Sequence, residues 1–203
     1  MSESEQAPIR LALLLAGAGG RCRRILASAG VDDDPIEVLR RARVKPTLLR
    51  TARRMVSDEV ERLMDRLRSD CWRWVVPAQS EFPALLRHVT DPPLGLFVRG
   101  RLAEGPAVAV VGSRRATPYG RKVARLLGEE LGSAGVIVVS GMARGVDGAA
   151  HEGVLAVSGT TWAVWVAGPD RVYPSEHRGL AEAIASTGGL LTEYPPGTAP
   201  RRH

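Results

Sequence analysis

The sequence predicts an α/β fold, a Rossmann-like doubly wound parallel sheet preceded by a small all-helical domain. Three observations predict it. The first hundred residues begin with segments of helical spacing, apolar runs alternate with helix-like segments from Ala107 onward, and short turns connect those runs. Continuous Val, Ile and Ala runs joined by helices are typical of parallel strands covered on both faces. Right-handed crossovers then give a doubly wound sheet. We predict domains at residues 1–69 and 70–203.

The helical domain begins with an apolar segment, Ile9–Leu15, followed by a glycine turn and a second segment, Arg21–Ala29. This layout resembles a helix-hairpin-helix unit, whose turn amides hold a DNA phosphate, and it also fits a plain helical hairpin that ends at a glycine. The run Asp34–Glu37 predicts a helix start with Asp34 as N-cap. Alternating charges over Asp58–Arg68 predict an amphipathic helix with a solvated charged face.

The second domain contains apolar and β-branched runs that predict strands, and amphipathic runs between them that predict helices. The strand candidates are Trp72–Val76, Leu96–Gly100, Ala107–Val111, Val136–Ser140, Thr161–Val166 and Gly189–Glu193. The helix candidates are Phe82–Leu86, Pro118–Ala134, Val146–Val157 and Ser175–Ser186.

The composition is basic, with a net charge of +6 and a pI of about 10.1. A basic balance favours polyanionic partners such as nucleic acid, although 26 of the 28 basic residues are Arg, which a compositional habit of the genome equally explains. No apolar stretch approaches the roughly 20 residues of a membrane span, so we expect no membrane association. Cys22 and Cys71 have no metal-ligand spacing. We therefore expect a cytoplasmic protein without cofactor or metal.

Two strand-to-helix turns carry the functional prediction, one at Val111–Arg115 and one at Ser140–Asp147. A strand that ends in Gly and Ser and leads into a helix directs unpaired amides towards one point, where the helix dipole is positive and an Arg suits a phosphate. Such turns meet where parallel strands end side by side. The sequence therefore predicts a phosphate-binding site formed by Gly112, Ser113, Arg114, Arg115, Ser140, Gly141, Ala143, Arg144 and Gly145.

Three residues are predicted to support this site. Thr117 precedes a proline as a helix N-cap. Asp147 and His151 lie four apart on one helix face; they would suit an acid–base pair or metal ligands, but a carboxylate complementing the dipole and a packing histidine are favoured. We predict no catalytic residue. Neither turn has the dinucleotide or P-loop pattern, which disfavours a nicotinamide or ATP enzyme.

From Asp91 to His203 the chain resembles the DNA-processing protein A family (DprA, also called Smf). The matching segments are Asp91–Pro93 with Leu96–Gly100, Val110–Arg115 with Thr117–Gly120, Val139–Asp147 with Ala150–His151, Asp170–Pro174, and Glu193–Thr198. The N-terminal helices are similar in layout to the small SAM-like domain of that family.

This resemblance implies an extended Rossmann domain that binds single-stranded DNA without sequence preference, protects incoming DNA and helps to load the recombinase RecA in natural transformation. It implies that Gly112, Ser113 and Arg114 hold a backbone phosphate. Ser140, Gly141, Ala143, Arg144 and Gly145 would form the adjoining pocket edge. Family members form homodimers through a part that follows the position of Pro200, so we expect this chain to be truncated at its C-terminus and to lack that dimer surface.

The leading hypothesis is therefore a non-enzymatic single-stranded-DNA-binding protein. One alternative is a nucleotide-phosphate hydrolase related to the lysine-decarboxylase-like phosphoribohydrolases, which resemble this sheet and its phosphate turns. Their Pro-Gly-Gly-x-Gly-Thr loop does not occur in the sequence. A further alternative is a nucleotide-sensing module that uses the same pocket without chemistry.

Overall fold

The structure is a computed structural model that describes residues 3–30, 33–56 and 59–200. The chain divides into two compact units, Met1–Phe97 and Val98–His203. The domain boundary predicted at residue 69 separates the helical segments from the first strand, and it stays a prediction. Within the described ranges, no helix combines the length and the apolar character needed to cross a bilayer.

The first unit is mainly helical, as the sequence predicts. Its elements are α1 (Glu3–Leu15), α2 (Gly20–Ala27), α3 (Pro35–Arg41), α4 (Pro46–Met55), α5 (Glu59–Ser69), β1 (Trp72–Val75) and a 3₁₀ helix (Ala84–Arg87). The helices bury one apolar face each, which is how an amphipathic helix gains its stability in a small domain. The fully buried side chains include Leu11, Leu13, Leu39, Ala52 and Val60.

The predicted start of α3 is confirmed by its cap. Asp34 Oδ1 accepts a hydrogen bond from the Ile36 amide at 2.8 Å, and Pro35 occupies the first helical position. Glu37 does not reach back to the cap; it pairs with Arg40 and Arg41, and these hydrogen bonds lower its pKa to about 2. Helix α4 was not predicted. Of the predicted amphipathic segment, residue 58 lies outside the described residues, and α5 follows from Glu59.

The second unit alternates strands and helices. Strand β2 (Leu96–Gly100) spans the division between the units, and the elements after it are β3 (Ala107–Ala109), α6 (Pro118–Ser133), β4 (Ile137–Ser140), α7 (Val146–Ala156), β5 (Thr161–Val164), a 3₁₀ helix (Ser175–His177), α8 (Arg178–Thr187) and β6 (Gly189–Thr192). Each agrees with a predicted element to within a few residues. The carboxyl end of every strand from β3 to β5 leads into a helical segment, the arrangement that places turns at one edge of the sheet.

Strands β3 to β6 are hydrogen-bonded in the order β6-β5-β4-β3, and all three pairs are parallel. In the strand order, β2 follows β6. Ala107 aligns with Ile137 and Val138 with Thr161, so the ends of neighbouring strands coincide. The predicted α/β, Rossmann-like class is confirmed.

Helices α6 and α7 approach each other to backbone contact. A Cβ placed on Gly128 would lie 2.3 Å from the Ala150 carbonyl oxygen, and one on Gly153 would lie 2.0 Å from the Arg125 carbonyl oxygen. Only glycine fits at both positions, because real Cβ atoms do not come this close to another atom. This close packing holds the first turn of α7 beside the segment that leads into α6.

The predicted burial of the strand candidate Ala107–Val111 was wrong for the residues that form β3. Strand β3 ends at Ala109, and all three of its residues are exposed, with Val108 at 44%. A continuous apolar run does not distinguish a central strand from an edge strand, since both carry Val and Ala.

Candidate functional site

The two predicted turns lie side by side beyond the carboxyl ends of β3 and β4. We call them the first corner (residues 110–117) and the second corner (residues 140–146). The Val110 amide donates to the Val139 carbonyl at 3.0 Å, and the Val146 amide donates to the Ser113 carbonyl at 3.2 Å. Ser140 Oγ donates to the Val110 carbonyl at 2.6 Å. The corners are therefore hydrogen-bonded to each other, and the buried Ser140 hydroxyl serves this junction.

Asp147 occupies the point towards which both glycine turns direct their amides. Its Oδ1 accepts from the Gly112 amide at 3.4 Å, and its Oδ2 accepts from the Gly141 amide at 3.2 Å. The residue is only 7% exposed. A carboxylate that accepts two backbone amides fills the position that an anionic ligand would take. The amides of Gly112 and Gly141 thus join the corners to α7, which differs from the free phosphate-binding role expected for them.

Gly145 fixes the entry into α7. Its φ is +86° and its ψ is −121°, a conformation essentially restricted to glycine. A Cβ there would lie 2.2 Å from the Ser113 carbonyl oxygen. The Gly148 amide donates to the Ala143 carbonyl at 3.0 Å, so this amide of the first turn of α7 is satisfied inside the protein.

The first corner keeps free donors at the surface. Ser113, Arg114 and Arg115 are exposed, and Ser113 Oγ accepts from the Arg115 amide at 3.1 Å. Within residues 3–30, 33–56 and 59–200, neither guanidinium has a carboxylate partner, and the amides of Ser113 and Arg114 have no protein acceptor. Thr117 is the N-cap of α6 as predicted, since its Oγ1 accepts from the Gly120 amide at 3.1 Å.

Arg144 of the second corner already has a partner. Its Nε is hydrogen-bonded to Glu176 Oε1, and this contact raises the pKa of the Arg144 guanidinium and lowers the pKa of the Glu176 carboxyl. Both side chains are exposed. Arg144 is therefore a second cation at the site whose charge is partly neutralised until Glu176 is displaced.

The sequence reasoning missed the segment that follows β5. Besides Glu176, it supplies His177, whose Nδ1 donates to the Met142 carbonyl at 2.9 Å. Met142 itself is fully buried with a φ of +56°. A signal was present, because β5 neighbours β4 and the loop after each parallel strand reaches the same edge.

His151 is not part of the corner surface. Its side chain lies on the buried face of α7. The Nδ1 atom is 2.7 Å from Oγ1 of Thr161, at the start of β5. Thr161 Oγ1 donates to the Val138 carbonyl, so Nδ1 carries the proton. Burial, with the nearby His177 charge, lowers the pKa of His151 to about 4. This agrees with the favoured packing role.

The exposed part of the site is rich in hydrogen-bond donors, with Arg114 and Arg115 unpaired in the described residues and Arg144 paired with Glu176, while the Asp147 carboxylate lies beneath the surface. Guanidinium groups beside free amides suit a chain of phosphates. In the described residues, no group of three or more His, Cys, Asp or Glu side chains has metal-site geometry.

Comparison with known proteins identifies the family. Residues 73–203 match the family model described as DNA recombination-mediator protein A. The chain belongs to this family. It is 38% identical over 136 residues to the protein Smf of Synechocystis, an alignment that covers 64% of this chain and 34% of that protein. These matches confirm the resemblance stated from the sequence.

Two solved structures of the family are also similar. The DNA processing protein A of Streptococcus pneumoniae superposes with a TM-score of 0.77 at 24% identity, covering 95% of this chain and 69% of that one; this likeness concerns the fold. The DNA processing protein A of Helicobacter pylori, solved for its single-stranded DNA binding mode, gives a TM-score of 0.55 at 30% identity and covers 64% of this chain and 59% of that one. The chain spans 34% of the length of the Synechocystis relative and 57% of a Bacillus subtilis relative.

Proposed function

We propose that this chain binds single-stranded DNA without sequence preference, with the phosphates contacting the first corner. The observation that carries the proposal is the pair of exposed guanidiniums, Arg114 and Arg115, that have no carboxylate partner in the described part of the chain. Arg144 is the adjoining cation. The family relative from Helicobacter pylori, which binds single-stranded DNA, supports the same ligand.

In this proposal the predicted site residues divide into two groups. Ser113, Arg114, Arg115 and Arg144 contact the DNA backbone. The remaining residues support the corners through the contacts described above, His151 by packing beneath them: Gly112, Ser140, Gly141, Ala143, Gly145, Thr117, Asp147 and His151. Contacts to phosphate carry no sequence information, which accounts for the absence of sequence preference in the proposal.

A salt titration tests this function. The double variant Arg114→Ala/Arg115→Ala should weaken the binding of a labelled single-stranded oligonucleotide by roughly tenfold or more. It should also reduce the slope of log affinity against log salt by about 1.4, because each phosphate contact on single strands contributes about 0.7. The matched control is Arg62→Ala/Arg66→Ala, which removes two exposed arginines from α5. An unchanged affinity and slope in the first-corner variant would refute the assignment.

Binding without catalysis is part of the proposal. Asp147 uses both carboxylate oxygens on backbone amides, and the Nδ1 of His151 is held by Thr161 under the helix, so neither faces a ligand at the corner surface. The phosphoribohydrolase alternative predicts release of free base from a nucleoside monophosphate. Release of free base by this chain would contradict binding without catalysis and favour the hydrolase.

We further propose that the chain acts in the cytoplasm during natural transformation and recombination, passing the bound strand to RecA. The test is whether the chain accelerates RecA filament formation on single-stranded DNA that is already covered by a single-strand-binding protein. The Arg114→Ala/Arg115→Ala variant should lose this acceleration if bound DNA is the substrate of the transfer.

A further inference from the structure

Positive charge is concentrated in the hairpin formed by α3 and α4. Residues 35–55 contain seven basic side chains and a single acidic one, Glu37. The basic residues are Arg40, Arg41, Arg43, Lys45, Arg50, Arg53 and Arg54. Their excess of six equals the net charge of the whole chain, +6, so the remaining residues sum to zero. A net charge of +6 within 21 residues is a much higher density of positive charge than the same +6 spread over the 203 residues of the chain.

The same hairpin encloses a cavity of about 430 Å³. Its aliphatic walls come from α3, from the turn and from α4, and they consist of Ile36, Val44, Pro46 and Leu49. Ile36, Val44 and Leu49 are buried, so these walls are fixed by packing in the helical unit. A cavity of this size admits one or two apolar side chains of a ligand.

Four arginines surround this cavity, and all are exposed: Arg40, Arg43, Arg50 and Arg53. Arg40 forms an ion pair with Glu37, with Nη2 2.7 Å from Oε1. Across the described ranges, Arg43, Arg50 and Arg53 have no carboxylate partner. Like charges held around an apolar cavity repel one another, and a ligand that brings carboxylates would relieve this repulsion.

We propose that this cavity binds an acidic peptide segment of a partner protein. An apolar side chain of the peptide enters the cavity, and its carboxylates pair with the arginines of the rim. Charge complementarity and the aliphatic walls argue together for a peptide. A phosphodiester backbone would meet the charge but has no aliphatic group for the cavity, and the walls contain no aromatic ring on which a base would stack. The proposal is independent of DNA binding at the first corner.

The test uses the full chain and fluorescence polarisation with a labelled peptide. The probe has about twelve residues, about half of them Asp or Glu, with one Leu and one Phe four positions apart so that both lie on one helical face. A second probe replaces the Leu and the Phe with Ser and keeps every charge. We expect the apolar probe to bind at least about tenfold more tightly than the serine probe, because only the former buries apolar surface.

The variant Arg50→Glu/Arg53→Glu should weaken the binding of the apolar probe by about tenfold or more. The matched control, Arg62→Glu/Arg66→Glu, reverses two exposed charges on α5 and should stay within about twofold of the parent chain. All four positions are exposed, and a far-UV circular dichroism melt of each variant verifies that the fold is retained.

Three results would overturn the proposal. The first is equal binding of both probes, which would mean attraction by charge alone. The second is an equal loss of affinity in the α5 control, which would mean a general electrostatic effect. The third concerns the Arg114→Ala/Arg115→Ala variant and has two parts. Single-stranded DNA displaces the peptide from this variant, and adding Arg50→Glu/Arg53→Glu to it abolishes its remaining DNA binding. That outcome would make the hairpin a nucleic-acid site.

Discussion

Acid should destabilise this protein through His151. The ring is fully buried, and its pKa in the folded chain is lowered to about 4, against about 6.5 in an unfolded chain. The unfolded state therefore binds more protons than the folded state between these two values. The contribution of the neutral ring to stability is complete above pH 6.5, and it is lost as the pH falls towards 4.

The size of the effect follows from the two pKa values. Between pH 7 and pH 5 the linkage gives a loss of about 2 kcal/mol in the free energy of unfolding, and the full shift of about 2.5 units is worth about 3.4 kcal/mol below pH 4. Carboxyls whose pKa is lowered in the folded chain, such as those of Glu37 and Glu176, also contribute to stability. They lose that contribution at a lower pH than His151 does, as the pH falls below the ordinary carboxyl pKa. The interval from pH 7 to pH 5 therefore isolates the histidine.

The assay is urea unfolding at pH 7 and pH 5, followed by far-UV circular dichroism, on three chains. The parent should lose about 2 kcal/mol over this interval. His151→Asn keeps a donor for Thr161 Oγ1 and cannot titrate, so it should be less stable at pH 7 but nearly independent of pH. His88→Asn changes an exposed histidine and should behave as the parent does. An equal loss in the parent and in His151→Asn would refute the reasoning.

Three further predictions concern the corners. Gly145→Ala should lower the free energy of unfolding, measured by urea titration, by more than Gly17→Ala does. Both glycines have φ near +85°, where an alanine is strained by about 1–3 kcal/mol, but only at Gly145 would the added Cβ also meet a carbonyl oxygen. Equal losses in the two variants would contradict this reasoning. Thr117→Ala should lower the free energy of unfolding by about 1 kcal/mol, because the N-cap of α6 is lost. In the same titration Thr117→Ser should keep most of that stability, since its hydroxyl can still cap the helix. Glu176→Gln should release Arg144 and raise the affinity for single-stranded DNA about two- to fivefold in a polarisation titration at low salt; a lower affinity would argue that Glu176 positions Arg144.

Much of the second unit could be predicted because its signals are local. Apolar runs, glycine stops and the Thr117-Pro118 cap each report the conformation of a few neighbouring residues, and they predicted the order of strands and helices. The rule that ligands meet the ends of parallel strands also predicted that the two corners lie together.

The internal contacts of the site could not be predicted in the same way. Nothing in the sequence states that the Asp147 carboxylate accepts the amides of both glycine turns, since those contacts join residues 35 positions and 6 positions apart. The pairing of Arg144 with Glu176 likewise depends on where the loop after β5 lies. Helix α4 was missed because its basic residues obscure a short apolar face of Leu49 and Ala52.

The buried carboxylate also decides which kind of anion this site suits. An enclosed nest of amides would hold a single terminal phosphate tightly, which is what a nucleotide sensor requires. Here Asp147 already occupies the amides of Gly112 and Gly141, and the free donors lie outside, on the exposed Arg114 and Arg115. Exposed donors of this kind contribute little binding free energy to one small ligand. Their contributions sum along a polymer that has a phosphate at every nucleotide. We therefore expect a mononucleotide to compete poorly with an oligonucleotide, and tight mononucleotide binding measured by calorimetry would favour the sensor instead.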